Sequence, residues 1–330
     1  MRIWKPTFPD IAHGCVPDMT AGPRRILLTG ASGFVGRHLM NALSLAYPDA
    51  TLLAPSFDVS DAAAVSEIVA TAQAECCIHL AAISTIAAAQ ANPDHAWRVN
   101  LLGTLHVARA ILSHVPKCQM IFASTAEAYG AAFRHTATLD EAAVLAPLNV
   151  YAATKAAADL ALGSMVEQGL RVVRLRAFNH TGPGQSPNFV VAAFARQAAR
   201  IAAGLQAPVV EVGNLEPRRD FLDVRDVCAA YVACIERRDS LAPDAILNIA
   251  SGEAQRIGDV LRDMLALAGV TASVRVDRSR LRSTDILLVC GNATRARELL
   301  GWTPGTPWRQ TLQDVLDDWR GRVATETAER

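Results

Sequence analysis

Short apolar runs recur along the first half of the chain, each followed by a stretch of helical character. This alternation limits the fold more than any other feature of the sequence. The runs are Arg25–Thr29 (RILLT), Thr51–Ala54, Cys76–Ala81 (CCIHLA), Gln119–Ala123 (QMIFA) and Arg171–Arg176 (RVVRLR). Runs this short and this apolar suit strands buried on both faces. Helices are predicted over 37–46, 62–74, 94–112 and 149–167, with Asn92 or Asp94 as cap of the third. Strands separated by crossover helices build a doubly wound parallel sheet with helices on both faces, the α/β class.

After Phe178 the rhythm changes. Asn179–Phe189 (NHTGPGQSPNF) reads as a loop and 190–204 as a helix, while 208–213 and 273–277 read as short strands. The expected organisation is an N-terminal extension (1–24), a Rossmann-type domain (25–178), and a smaller mixed lobe (179–330). Within that lobe, residues 219–250 are expected to return to the main sheet.

Composition narrows the function classes. Lys plus Arg and Asp plus Glu are both 32, so the formal net charge is zero. No global field favours nucleic acid or an anionic membrane, and no apolar run is long enough to span a bilayer. Residues 1–23 carry Pro6, Pro9, Pro17 and Pro23 and no apolar core of a secretory signal. The seven cysteines are odd in number and show neither CxxC nor zinc-ligand spacing, so reduced, buried thiols in a cytoplasmic protein are expected, and no metal site.

Two motifs carry chemistry. Gly30-Ala-Ser-Gly33-Phe-Val-Gly36 follows the first strand and opens a helix. Gly30 permits a tight turn, Gly33 lets backbone approach a pyrophosphate, and Gly36 lets the helix sit close on the sheet, with free N–H groups facing the phosphates. A nicotinamide dinucleotide is the expected ligand. The acid or arginine that chooses between NAD and NADP at the end of the second strand is missing; Asp58 comes slightly late and is expected near the adenine. The second motif is Tyr151-Ala-Ala-Thr-Lys155, which puts a phenol and an amine on one helical face. Proton transfer by tyrosine near neutrality needs its pKa lowered by about 3 units, roughly 4 kcal/mol. An ammonium about 4 Å away at an effective dielectric near 20 supplies an effect of that order. Lys155 is therefore expected to acidify Tyr151. Thr125, ending the fourth strand, supplies a hydroxyl for the reacting oxygen; Ser124 and Glu127 are further candidates.

With these motifs in place the chain resembles the extended short-chain dehydrogenases/reductases of the nucleotide-sugar epimerase/dehydratase group, over about 25–320. The likeness rests on TGASGFVG (29–36), HLAA (79–82), FASTAEAYG (122–130), YAATK (151–155) and RRDFLDVRD (218–226). RAFNHTGPGQ (176–185), FARQ (194–197) and VGNLEPRRDF (212–221) are similar to the GDP-sugar branch, and the tail looks closer to its reductases than to its dehydratases. The resemblance implies a catalytic trio of Thr125, Tyr151 and Lys155. It implies NADP or NAD held by Gly30, Ser32, Gly33, Phe34, Val35, Gly36, Asp58, Val59, Leu80, Ala81, Ala82, Tyr151, Lys155 and Phe178. It implies a GDP-sugar held by Thr125, Asn179, Gln185, Arg218, Arg219 and Arg282. The reaction it implies is reduction of the C4 ketone of a GDP-4-keto-6-deoxyhexose. A 4,6-dehydratase using Glu127, a 4-epimerase and a non-catalytic dinucleotide sensor are the alternatives. A homodimer is expected through the helix from Asp94, apolar almost all round at Trp97, Val99, Leu101, Leu102, Leu105, Val107, Ile111 and Leu112, together with the Tyr151 helix.

Overall fold

The computed structural model describes residues 22–280 and 286–328. Arg282, Cys15 and residues 1–21 of the expected extension lie outside the described residues. The first half runs β1 (Arg25–Thr29), α1 (Phe34–Ala46), β2 (Thr51–Leu53), α2 (Ala62–Ala72), β3 (Cys76–His79), α3 (Ile86–Ala91), α4 (Pro93–Trp97), a π-helical turn (Arg98–Gly103), α5 (Thr104–His114), β4 (Gln119–Thr125), a 3-10 segment (Ala126–Arg134), β5 (Thr138–Leu139), α6 (Val150–Ser164) and β6 (Arg171–Ala177). The second half runs β7 (Asn179–Thr181), α7 (Val190–Ala202), β8 (Val209–Val212), β9 (Arg218–Asp223), α8 (Val224–Glu236), β10 (Ile246–Ile249), β11 (Ala254–Arg256), α9 (Ile257–Ala268), β12 (Ser273–Val276), β13 (Leu288–Gly291), α10 (Thr294–Leu300) and α11 (Trp308–Ala328).

The main sheet has six parallel strands in the order β10-β6-β4-β3-β1-β2. The chain moves outward from β1 to β2, then returns to β3 on the other side of β1. That reversal opens a crevice at the carboxyl ends of β1 and β3, where ligands of such sheets bind. The strands are apolar throughout because both faces are covered. Ile26, Leu28, Ile78 and Ile121 pack toward α1 and α8; Leu27, Cys77, Met120 and Phe122 pack toward α2 and α5. β10 joins this sheet and α8 packs on α1, whereas β9 lies elsewhere. It joins β11, β13 and β5 in a second sheet, and β7 pairs with β9, so part of the expected 179–189 loop is extended strand. β8, which pairs with the exposed β12, shares a third core with the α7–α9–α11 layer, built on Val191, Val210, Leu261 and Leu316.

The helix expected over 94–112 is interrupted. It runs as α4, the π-helical turn and α5, with Asn92 as cap accepting from His95 N–H. The inserted residue rotates the apolar stripe: Val99, Val107 and Ile111 are buried, while Trp97 and Leu102 remain 37% and 44% exposed. The six described cysteines are free and buried, and burial raises the thiol pKa of each.

Candidate active site

The glycine turn lies at the crevice. Gly30 has φ +75°, and a Cβ there would meet the Ala81 backbone nitrogen at 2.7 Å. A Cβ on Gly36 would come within 2.4 Å of the Gly30 carbonyl oxygen. Neither position admits a side chain. Gly33, the cap of α1, is exposed; no side chain caps the helix, and its first turn carries no acid. The leading N–H groups therefore face an open cradle suited to a pyrophosphate. Ser32 is exposed above it, and Leu80–Ala82, partly buried, pass alongside Gly30.

A buried polar chain holds that wall. Thr104 donates to the Asn100 carbonyl at 2.7 Å, His79 Nε2 lies 3.1 Å from Thr104 Oγ1, and His79 Nδ1 lies 2.7 Å from Thr29 Oγ1. The Thr104 proton being used, His79 must donate from Nε2 and accept from Thr29 at Nδ1. Thr29 Oγ1 then accepts from Ala81 N–H at 3.3 Å. Burial, with a smaller push from Lys155, lowers the His79 pKa to about 3, so the ring stays neutral.

On the other side of the crevice stand the proton-transfer candidates. Thr125 ends β4, and its hydroxyl acts on the Tyr151 phenol at the start of α6, favouring the phenolate. It also accepts from Glu127 N–H at 3.2 Å. Asn149 caps α6 by accepting from Ala152 N–H at 2.9 Å, which fixes the turn that carries Tyr151. Lys155 is one turn further, 3% exposed, with Nζ 4.1 Å from the centroid of the Phe122 ring. The expected acidification is corrected here. Burial and the Glu127 charge outweigh the opposing effect of Thr125, and the phenol is pushed up to about 12. Burial also lowers the Lys155 pKa to about 7, against which the Asp159 charge pulls. An amine so desolvated, lying over an aromatic ring, is a weaker source of positive field than an ammonium in a polar site.

The other expected residues have the following surroundings. Ser124 donates to Asp159 at 2.6 Å behind the trio, so its hydroxyl faces away from Tyr151's partner. The Phe178 ring is 1% exposed and packs edge-on against Phe133 in the main core. Val59 is buried against Gly103. Asp58 is exposed and accepts from the Ser60 N–H and hydroxyl, bonds that hold its pKa below the usual carboxylate value. Phe34 stacks on His180, and Val35 packs on the main core. Gln185 is buried with both amide ends engaged, by Thr181 and by the His180 carbonyl, so it shapes its loop. Asn179 lies on β7 beside Phe221 of β9. Arg218 is exposed, and Arg219 donates to the Ile286 carbonyl at 2.7 Å. A cavity of about 480 Å³ opens in the smaller lobe, lined by Ala193, Arg196 and Arg200 of α7 and by Glu211 and Arg275 of the β8–β12 pair.

Two residues of the site escaped the sequence reading. Asn100, on the π-helical turn, accepts from Ile83 N–H (2.7 Å) and donates to Ile83 O (3.1 Å) and Thr154 Oγ1 (3.0 Å), tying the crevice loop to α6. π-Helical turns recur at functional sites, and a lone amide in an apolar helix was the available sign. Asp159 stands four residues beyond Lys155, the spacing that singled out Tyr151 and Lys155 themselves.

Comparison with known proteins agrees with this geometry. The family described as GDP-mannose 4,6 dehydratase matches residues 44–315. GDP-6-deoxy-D-mannose reductase of Pseudomonas aeruginosa is 34% identical over 306 residues, 92% of this chain and 99% of that protein. GDP-6-deoxy-D-talose 4-dehydrogenase of Aggregatibacter actinomycetemcomitans is 26% identical over 84% of this chain and 91% of its own. Among solved structures, RMD from Pseudomonas aeruginosa complexed with NADPH superposes with a TM-score of 0.82 at 32% identity, covering 90% of this chain and 98% of that one. UDP-glucose 4-epimerase of Thermotoga maritima shares the fold, with a TM-score of 0.81 at 23% identity, covering 90% and 99%. The chain belongs to the GDP-mannose 4,6 dehydratase family and is an NAD(P)-dependent nucleotide-sugar enzyme of the extended short-chain dehydrogenase/reductase group.

Proposed function

We propose that this chain reduces the C4 ketone of a GDP-4-keto-6-deoxyhexose, a step of deoxysugar biosynthesis. The observation that carries the reading is the buried Tyr151 phenol with Thr125, at the end of β4, acting on it, in a chain whose glycine turn leaves no room for side chains at Gly30 and Gly36. The reductase that matches over nearly its whole length supports it. The cradle fits a dinucleotide, which Gly30, Gly33, Gly36 and the first N–H groups of α1 would hold, with Leu80–Ala82 along one side. Bound there, a reduced nicotinamide supplies the hydride for C4.

The chain's own residues complete the reaction. The Tyr151 phenol, raised by burial, is protonated throughout the neutral range and donates that proton to the sugar oxygen as charge develops on it. Thr125 gives a second hydrogen bond to the same oxygen. Lys155, when cationic, stabilises the phenolate left behind. Asn179 and Arg219 would line the approach from the smaller lobe, and Arg196 would offer its guanidinium to a diphosphate or nucleotide entering the 480 Å³ cavity, where Arg200 and Arg275 are paired with Glu326 and Glu211.

A 4,6-dehydratase is the second reading. Glu127 acts electrostatically on Tyr151 and would serve as the base of an elimination, and the matching family carries that name. One assay separates the two. Purified protein is mixed with NADPH and GDP-4-keto-6-deoxymannose, and NADPH absorbance is followed. Stoichiometric loss is expected. No loss, with GDP-mannose converted instead, would assign the chain to the dehydratases.

A further inference from the structure

Behind the trio lies a cluster of buried charges that the mechanism above does not use. Asp159 is 0% exposed and sits one helical turn beyond Lys155 on α6. Its carboxylate takes two bonds from Arg176 (3.1 and 2.9 Å), one from Arg174 (3.3 Å) and one from Ser124 (2.6 Å). Both arginines project from β6 and are almost fully buried. In the parallel pairing of β4 with β6, Ser124 stands opposite Arg176 and Thr125 opposite Ala177, so the bond from Ser124 anchors the residue next to Thr125. The cluster thus places two guanidiniums, those of Arg174 and Arg176, on one carboxylate, whose charge also acts on Lys155 one helical turn away.

We propose that Asp159 is a positioning residue of the proton-transfer site: it is the counter-ion that compensates the Lys155 ammonium, and it ties the strand end bearing Thr125 to the helix bearing Tyr151. This rests on the role given to Lys155 above. The groups facing the pair are few. His79 of β3 is neutral, Phe122 of β4 lies under Nζ, the π-helical turn presents the uncharged Asn100, and Glu127 of the 3-10 segment acts on Tyr151. Among the described residues, Arg174 and Arg176 are the charges paired with Asp159, and Arg176 also bonds the Tyr129 hydroxyl at 3.1 Å. Were Asp159 neutral, the buried Lys155 ammonium would lose the charge that favours it against desolvation. Its positive charge would then be lost at lower pH.

The chain contains three lysines, Lys5, Lys117 and Lys155, which makes a direct test practical. Full-length protein labelled with ¹³C at lysine Cε gives three resonances, assigned with Lys155→Met. In Asp159→Asn the Lys155 titration midpoint is expected to fall by about one pH unit or more. An unmoved midpoint overturns the proposal. Should Asp159→Asn fail to fold, Arg174→Met decides instead, since it leaves Asp159 its bonds from Arg176 and Ser124. There the midpoint is expected to rise by about half a unit, and an unmoved midpoint again overturns the proposal. In the deciding variant the alkaline limb of kcat/KM should move with the lysine midpoint; a limb that stays put while the lysine moves also counts against it. A wild-type chain that reduces no keto-sugar would defeat the reductase reading alone, because the cofactor-free lysine titration decides this proposal separately.

Discussion

At the scale of single residues, the site keeps its phenol protonated until substrate arrives. Tyr151→Phe removes the proton donor without disturbing the cradle, so kcat is expected to fall by about 10²–10⁴ while NADPH affinity, read by fluorescence titration, stays near the wild-type value. Retained turnover would remove the phenol from the mechanism. Lys155 makes a different prediction, about stability. Its pKa is 10.5 in an unfolded chain and about 7 in the folded one. Between those values the unfolded chain holds a proton that the folded chain lacks, so stability rises with pH across that window. Below it the burial penalty is fully present; above it the penalty vanishes. Lys155→Met is therefore expected to be more stable than wild type by about 3–5 kcal/mol near neutral pH, with the gap in Tm closing as pH approaches 10.5. A gap independent of pH would show that Lys155 folds without a charge penalty.

At the scale of elements, the contact of α1 with the end of β1 and the π-helical turn are the two devices that shape the crevice. A methyl group on Gly36 meets the Gly30 carbonyl oxygen, a backbone atom that cannot swing aside. Gly36→Ala must then push α1 off the sheet and widen the cradle. NADPH affinity is expected to drop at least tenfold, and an unchanged Kd would show that the helix tolerates the shift. Asn100→Ala leaves the Ile83 N–H and carbonyl without partners in a partly buried loop. A cost of about 1–3 kcal/mol is expected in denaturant unfolding. Because Asn100 also bonds Thr154, which in turn donates to the Tyr151 carbonyl at 2.8 Å, kcat should fall as well.

At the scale of the whole molecule, α4, the π-helical turn and α6 present Trp97, Leu102 and Leu160, the last 60% exposed. We propose, as the sequence pattern suggested, that these faces meet a second copy of the chain. Light scattering at micromolar protein is expected to give a dimer for wild type and a monomer for Leu102→Glu/Leu160→Glu; a monomeric wild type would refute the pairing. The alternation of strands and helices, the glycine turn and the Tyr151–Lys155 spacing were legible in the sequence because each is a local pattern, repeated within one turn of helix or one strand, and the backbone periodicities fix its geometry. The path of β9 into the second sheet, the diversion of Ser124 to Asp159, the burial of Phe178, and the direction of the Tyr151 pKa shift were not. Each depends on what desolvates or opposes a group from elements far away in the chain. Spacing along a helix places a phenol and an amine on one face, but the charge either group carries is decided by the water excluded around it and by the ions packed behind it, and only the assembled sheet, with β4 and β6 side by side beneath α6, supplies those.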